Sequence, residues 1–276
     1  MAAVRGALIA VVILVCTLTL IVVQYLVMHL SPRHGGAIPV LYHRLVLRLL
    51  TIRLDVEGRL APGPALIVAN HSSWLDISII GSLGELSFIA KREVASWPIF
   101  GLLARLQRSV FIDREQRGRT GKVRNEIVAR LAAGARIVLF GEGTSSDGNR
   151  VLPFRTALFG VAEAGLPDGR PLPVQPLSLA YTRQHGLPIG RRFRPRFAWY
   201  GDMDMVSHLW GVLTAGPIDV KIVLHAPVTI DALGDRKQLA AHCETRVRAG
   251  VLTALLGRPI STDQAQRVAP LVAAAP

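Results

Sequence analysis

In the stretch VANHSSWLD, Val68 to Asp76, a histidine and an aspartate stand five positions apart where an apolar run stops. If the run is a strand ending at Asn70 and a helix begins near Trp74, His71 lies just outside that helix. Asp76, in its first turn, then reaches back to one ring nitrogen, and Ser72 or Ser73 is placed to cap the helix. A carboxylate so placed fixes the imidazole tautomer and leaves the other nitrogen to accept a proton, which makes a general base with an orienter. The same residues also fit a blander arrangement, an Asp favoured by a helix dipole and a His bonded to a backbone carbonyl. Nothing within the nine residues separates the two.

Other polar clusters also fall where apolar runs end: Lys91-Arg92, Asp113-Arg114 and Gly141-Glu142-Gly143-Thr144. In an open α/β sheet, ligands collect at the carboxyl ends of strands, so the recurrence points to one shared site. Several chemistries are not supported. There is no G-x-S-x-G elbow to carry a protein nucleophile, so a nucleophile is expected from the substrate. There is no H-E-x-x-H and no C-x-x-C, and no metal or other cofactor is expected. FGEGTSSDGNR, Phe140 to Arg150, is rich in Gly, Ser and Thr but lacks the Gly-Lys-Ser/Thr ending of a nucleotide loop.

The elements that must position these residues follow from the apolar pattern. Ala65 to Asn70, Ser87 to Lys91, Ser109 to Asp113, Arg136 to Gly143, Pro173 to Tyr181 and Asp219 to Val228 read as strands. Trp74 to Leu83, Pro98 to Leu106, Gly121 to Ala133 and Phe154 to Ala164 have helical spacing or composition, and Asp231 to Leu256 is a closing helical segment. Alternation of this kind predicts an α/β domain with a largely parallel sheet flanked by helices.

Ahead of the domain, Ala7 to Leu30 carries no Asp, Glu, Lys or Arg. A membrane span needs about 20 such residues. The run is too long for the apolar region of a cleaved signal peptide, so a retained transmembrane anchor is expected. Arg5 is the one basic side chain before the run, whereas Arg33, Arg44, Arg48 and Arg53 follow it, which places the body of the protein in the cytoplasm. Cys16 and Cys243 offer no disulfide framework.

The net charge of +13 calls for an acidic partner, and the anchor makes membrane lipid the natural choice, with no nucleic acid expected. The basic residues are Arg except Lys91, Lys122, Lys221 and Lys237, which suits bidentate grip of phosphate or carboxylate. High Ala and Arg with so few Lys suggests a GC-rich bacterial source, and hence an inner membrane. The expected organisation is an anchor and break over 1–36, a basic amphipathic interfacial helix over 37–57, a catalytic domain over 58–257 and a mobile tail over 258–276. For 37–57, an ordinary surface helix packed on the domain fits equally.

Together these blocks resemble the glycerolipid acyltransferases of the 1-acylglycerol-3-phosphate acyltransferase type, over roughly Ala61 to Tyr181. Asn70, His71 and Asp76 match the first block, N-H-x-x-x-x-D, and FIAKREVASWPIFG, Phe88 to Gly101, looks like the segment that follows it. FIDR, Phe111 to Arg114, matches the second block, FGEGTSS stands where the family has F-P-E-G-T-R-S, and LPVQP, Leu172 to Pro176, resembles the fourth.

The resemblance implies that His71 takes the proton from an acceptor lipid's hydroxyl as that oxygen attacks an acyl thioester, with Asp76 orienting His71. Glu142, Gly143 and Thr144 would shape the acceptor site, and Arg114 and Lys91 would meet anionic groups of headgroup or donor. The donor would be an acyl carrier protein or coenzyme A thioester, as co-substrate. Ser145 stands where the family's Arg is expected, which removes a bidentate phosphate contact. The segments Ser145 to Glu163 and Arg191 to Gly211 look like the branch that acylates lyso-ornithine lipid. The alternatives are a 1-acyl-sn-glycerol-3-phosphate acyltransferase and, in another class, a membrane-tethered basic module that binds anionic lipid or nucleic acid without catalysis.

Overall fold

In a computed structural model of the chain the described residues are 1–31, 34–112, 120–261 and 263–264. The expected strands are present: β2 (Ala65–Ala69), β3 (Ser87–Lys91), β4 (Val110–Ile112), β5 (Arg136–Phe140), β6 (Val174–Gln184) and β8 (Ile218–Leu224). With β1 (Ile52–Glu57) and the short β7 (Leu187–Pro188) they form an eight-stranded sheet in the order β1-β8-β6-β2-β5-β3-β4, with β7 beside β6. Strand β6 runs antiparallel to β8 and β7, and the remaining neighbours are parallel.

Strand β2 is central and buried along its whole length, which is why its sequence is a continuous aliphatic run rather than an alternating one. Its residues still divide by face. Ala65, Ile67 and Ala69 join a core shared with α1 (Ala2–Leu30), α2 (Ala37–Leu49), α3 (Leu75–Gly81) and α6 (Met205–Thr214). Leu66 and Val68 join a core shared with α5 (Thr120–Ala132), the 3-10 segment Thr156–Ala164 and α8 (Arg236–Leu256). Helix α8 starts at Asp235, whose carboxylate accepts from the N–H groups of Lys237 and Gln238, and it lies so close to β6 that a Cβ on Gly250 would stand 2.3 Å from Ser178 Oγ. Helices α4 (Phe100–Leu106) and α7 (Ile230–Leu233) complete the α-helices among the described residues.

The chain leaves β2 through α3 on one face and leaves β5 through the 3-10 segment on the other. Adjacent parallel strands whose connections depart to opposite faces open a crevice at their carboxyl ends. His71 and Glu142 both fall there.

One expectation is corrected. The segment 37–57 is not one helix: α2 ends at Leu49, Thr51 takes a positive φ of 56°, and Ile52–Glu57 becomes an edge strand parallel to β8. The alternation I-R-L-D-V-E carries that strand signal, which Arg44 and Arg48 just before it, four positions apart and so on one helical face, masked. The sheet therefore begins before residue 58. Phe154 to Ala164 is helical as expected from Thr156 on, in the form of a 3-10 helix. Of the tail, Ile260 is tied to the domain, its N–H donating to Thr253 Oγ1 at 3.0 Å, and most of the remainder lies outside the described residues.

Helix α1 is long and apolar enough to cross a membrane, with a mean hydropathy of 3.0 in its most apolar window. It lies along the domain rather than apart from it. Arg5 donates to Thr51 Oγ1 at 3.0 Å, the hydroxyls of Thr17 and Tyr42 meet at 2.9 Å, and Gln24 Nε2 donates to the carbonyls of Gly35 and Leu106 at 2.7 and 2.9 Å. Helix α2 buries His43, Val46 and Leu47 and packs against α1 and α3. Leu8, Leu14, Leu18 and Leu26 of α1 stay exposed.

Candidate active site

Beyond Ala69 the ladder between β2 and β6 is continued by a side chain. Asn70 Nδ2 donates to Leu179 O and Leu179 N–H donates to Asn70 Oδ1, both at 2.9 Å, so the backbone is free to turn. His71 follows, with its ring stacked on Phe140 at a centroid distance of 3.9 Å and 18° between planes. Its backbone is held on both sides: its N–H donates to Glu142 Oε1 at 2.8 Å, and its carbonyl accepts from Ser146 N–H at 2.9 Å.

Asp76 does reach back. Its Oδ2 lies 2.9 Å from His71 Nδ1 and also accepts the N–H groups of Ser72 and Ser73 at 2.7 and 2.9 Å, while Oδ1 accepts the Tyr181 hydroxyl at 2.7 Å. A carboxylate surrounded by donors acts as an acceptor, so Nδ1 carries the proton and Nε2 is left as the proton acceptor. The His71 side chain is 21% exposed and that of Asp76 is 0% exposed, so a buried carboxylate orients an accessible imidazole. The expected serine cap is present as one long contact, Ser73 Oγ accepting Leu75 N–H at 3.4 Å. Trp74 occupies the N-cap position of α3 without a side-chain cap, and Asp76 takes the amides of both serines.

Glu142 is turned inward, 1% exposed. Its second oxygen accepts Leu152 N–H at 2.9 Å, so the residue ties the backbone of His71 to the strand-like stretch leading to Phe154. Burial pushes its carboxyl up to about 8, while the two N–H donors and the Arg248 charge pull the other way. Arg248 is itself buried in α8, paired with Glu244 at 2.6 Å, and Glu244 accepts Phe154 N–H at 2.8 Å. Gly143 holds a φ of 69°, the left-handed turn that a glycine permits here. Gly141 has a different constraint, since a Cβ on it would stand 2.6 Å from the Phe154 ring.

Of the remaining sequence-predicted residues, Thr144 is exposed beside this turn. Lys91 is exposed at the end of β3, two strands from β2 and hence about 10 Å across the sheet at the usual strand spacing. Arg114 and Asp113 lie outside the described residues. Among the described residues no group of His, Cys, Asp and Glu is arranged to hold a metal. A cavity of about 820 Å³ lies elsewhere, at the opposite ends of the strands, lined by Ser87, Arg136 and Arg105.

Sequence reasoning missed Tyr181 and Ser146. A tyrosine ending the buried run of a strand needs a partner for its hydroxyl, which is a usable signal, but the partner's identity is not local. A further hydrogen bond, Trp199 N–H to Ser72 O at 2.7 Å, brings the Arg191 to Gly211 segment against the same loop.

Residues 53–180 match the family described as Acyltransferase. The chain is similar to a lyso-ornithine lipid O-acyltransferase of Brucella abortus, 49% identical over 247 residues, covering 88% of this chain and 92% of that protein. It is also similar to a lyso-ornithine lipid O-acyltransferase of Rhizobium meliloti, 42% identical over 276 residues, covering 99% of this chain and 94% of that protein. In fold it is like the crystal structure of the 1-acyl-sn-glycerophosphate acyltransferase PlsC from Thermotoga maritima. That likeness has a TM-score of 0.66 at 23% identity and covers 94% of this chain and 96% of that one.

Proposed function

The chain belongs to the acyltransferase family, and on that premise we propose that it moves a fatty acyl group from an acyl thioester to the hydroxyl of lyso-ornithine lipid. The observation that carries the mechanism is the 2.9 Å contact between His71 Nδ1 and a buried, fully engaged Asp76 at the carboxyl end of a central strand. The acceptor hydroxyl gives its proton to His71 Nε2 as its oxygen attacks the thioester carbonyl. The tetrahedral intermediate then collapses, the C–S bond breaks, and the imidazolium returns the proton to the departing thiolate. The nucleophile comes from the acceptor, in keeping with the missing elbow, and no acyl-enzyme forms.

The acceptor is read from the two relatives of high identity and from Ser145, which leaves the turn without the guanidinium that would clamp a phosphomonoester. The donor is an acyl carrier protein or coenzyme A thioester. Helix α1 holds the enzyme on the bacterial inner membrane through its exposed leucines, with the catalytic domain on the cytoplasmic side.

The test offers lyso-ornithine lipid and lysophosphatidate side by side to membranes carrying the protein, each with acyl carrier protein and coenzyme A donors. Acylation of lyso-ornithine lipid by the wild type, absent in His71→Ala, is expected. Transfer to lysophosphatidate alone would replace the acceptor named here with the phosphorylated one.

A further inference from the structure

Two loops far apart in sequence are clamped onto the His71-Ser72 backbone from different directions. Ser146 N–H and Oγ reach His71 O at 2.9 and 3.2 Å, and Trp199 N–H reaches Ser72 O at 2.7 Å. The loops also meet each other. Arg194 Nη1 donates to Asn149 Oδ1 at 2.9 Å, and Asn149 in turn donates through its backbone N–H and its Nδ2 to the two oxygens of Asp147 at 3.0 and 3.2 Å. A carboxylate and a guanidinium are thereby held on either side of one asparagine, beside the loop that carries the base.

This is an unusual lining for a site that must bind only an anion, because Asp147 would repel a phosphate. It fits a headgroup that carries both signs. The guanidinium is also incompletely used: Nη1 is its single bonded donor among the described residues, and the side chain is only partly buried. An unmet donor of that kind favours an incoming oxygen anion.

We propose that Arg194 and Asp147 form the headgroup-reading site for a zwitterionic amino-acid lipid, Arg194 taking the free carboxylate and Asp147 the side-chain ammonium. The inference rests on the acceptor reading above and deepens it by assigning the residues that select the acceptor. Asn149 sets the spacing between the two charges. The headgroup, held at these two points, presents the hydroxyl of its acyl arm to His71. A phosphomonoester acceptor gains one favourable contact and one repulsive one, which is discrimination by an added unfavourable element.

The experiment measures KM and kcat for wild type, Arg194→Gln and Asp147→Asn, with lyso-ornithine lipid, its carboxyl methyl ester and its δ-N-acetyl derivative, and lysophosphatidate as a further acceptor. Wild type should lose about tenfold in kcat/KM on each derivative, the usual scale for one charge-assisted hydrogen bond. Arg194→Gln should cost about the same with the native acceptor and little more with the methyl ester, and Asp147→Asn should cost little more with the acetylated one. Equal losses on all acceptors would reduce both residues to loop staples, and indifference of the wild type to the derivatives would overturn the proposal without any variant. If wild type acylates lyso-ornithine lipid and either of those results appears, the headgroup site alone falls. If it acylates only lysophosphatidate, the acceptor reading falls and the site falls with it.

Discussion

Tyr181 donates its hydroxyl to Asp76 Oδ1 across 2.7 Å, so the carboxylate that meets His71 on one oxygen is held by the neighbouring strand on the other. Tyr181 is 5% exposed and stacks on Phe197 at 6.0 Å, which leaves its hydroxyl one direction in which to point. Replacing it with Phe keeps the shape and removes the bond. Asp76 then loses that donor and is held less firmly against His71. Tyr181→Phe is expected to lower kcat with little change in the acceptor KM, and to lower stability by about 1.5–3 kcal/mol. An unchanged kcat would leave Tyr181 a packing residue.

His71→Ala is expected to reduce acyl transfer by at least about a hundredfold, the low end for loss of a general base. Asp76→Asn is a subtler test. An amide in place of the carboxylate can set its N–H₂ against Nδ1 and favour the tautomer whose Nε2 carries the proton, so kcat should fall while the acceptor KM changes little. Steady-state kinetics on purified membranes separate the two.

The Glu142 carboxyl is raised from its ordinary 4.5 to about 8, with burial as the largest cause. A group whose folded value lies above its unfolded value contributes stability that is fully present below the unfolded value and is lost as pH rises through the folded one. The wild-type thermal midpoint should therefore fall between about pH 4.5 and about pH 8. Glu142→Gln should flatten that slope even though it weakens one of the two N–H contacts. Scanning calorimetry at constant ionic strength reads the slope directly, and identical slopes in the two proteins would contradict the assignment.

Gly141 and Phe154 should be coupled. Gly141→Ala places a methyl 2.6 Å from the buried Phe154 ring and should cost about 1–3 kcal/mol by overpacking. Phe154→Ala creates a cavity on its own, yet the double variant should be more stable than the sum of the two losses implies. Strict additivity in denaturant melts would show that the ring moves aside freely.

What could be read without coordinates was local. Apolar runs marked β2 and β5 because a strand buried on both faces is aliphatic along most of its length. The His71 and Asp76 pair was legible as one of two arrangements, since five positions spanning a strand end and the first turn of α3 allow the two side chains to meet, and the fold selects the one in which they do. Strand β1 was hidden because it follows directly on α2, whose Arg44 and Arg48, four positions apart, suit a helix and carried that reading past its end.

The sequence by itself determined the fold class and the apolar helix and brought His71 and Asp76 within reach of each other, because each depends on neighbours within a turn or a strand. Only the tertiary structure decided that Glu142 grips the His71 backbone, that Tyr181 completes Asp76 and that Asn149 joins Arg194. Those contacts span 71, 105 and 45 positions. They exist because the sheet places β2 between β5 and β6, and strand order is set by how whole faces bury one another, which no local periodicity encodes.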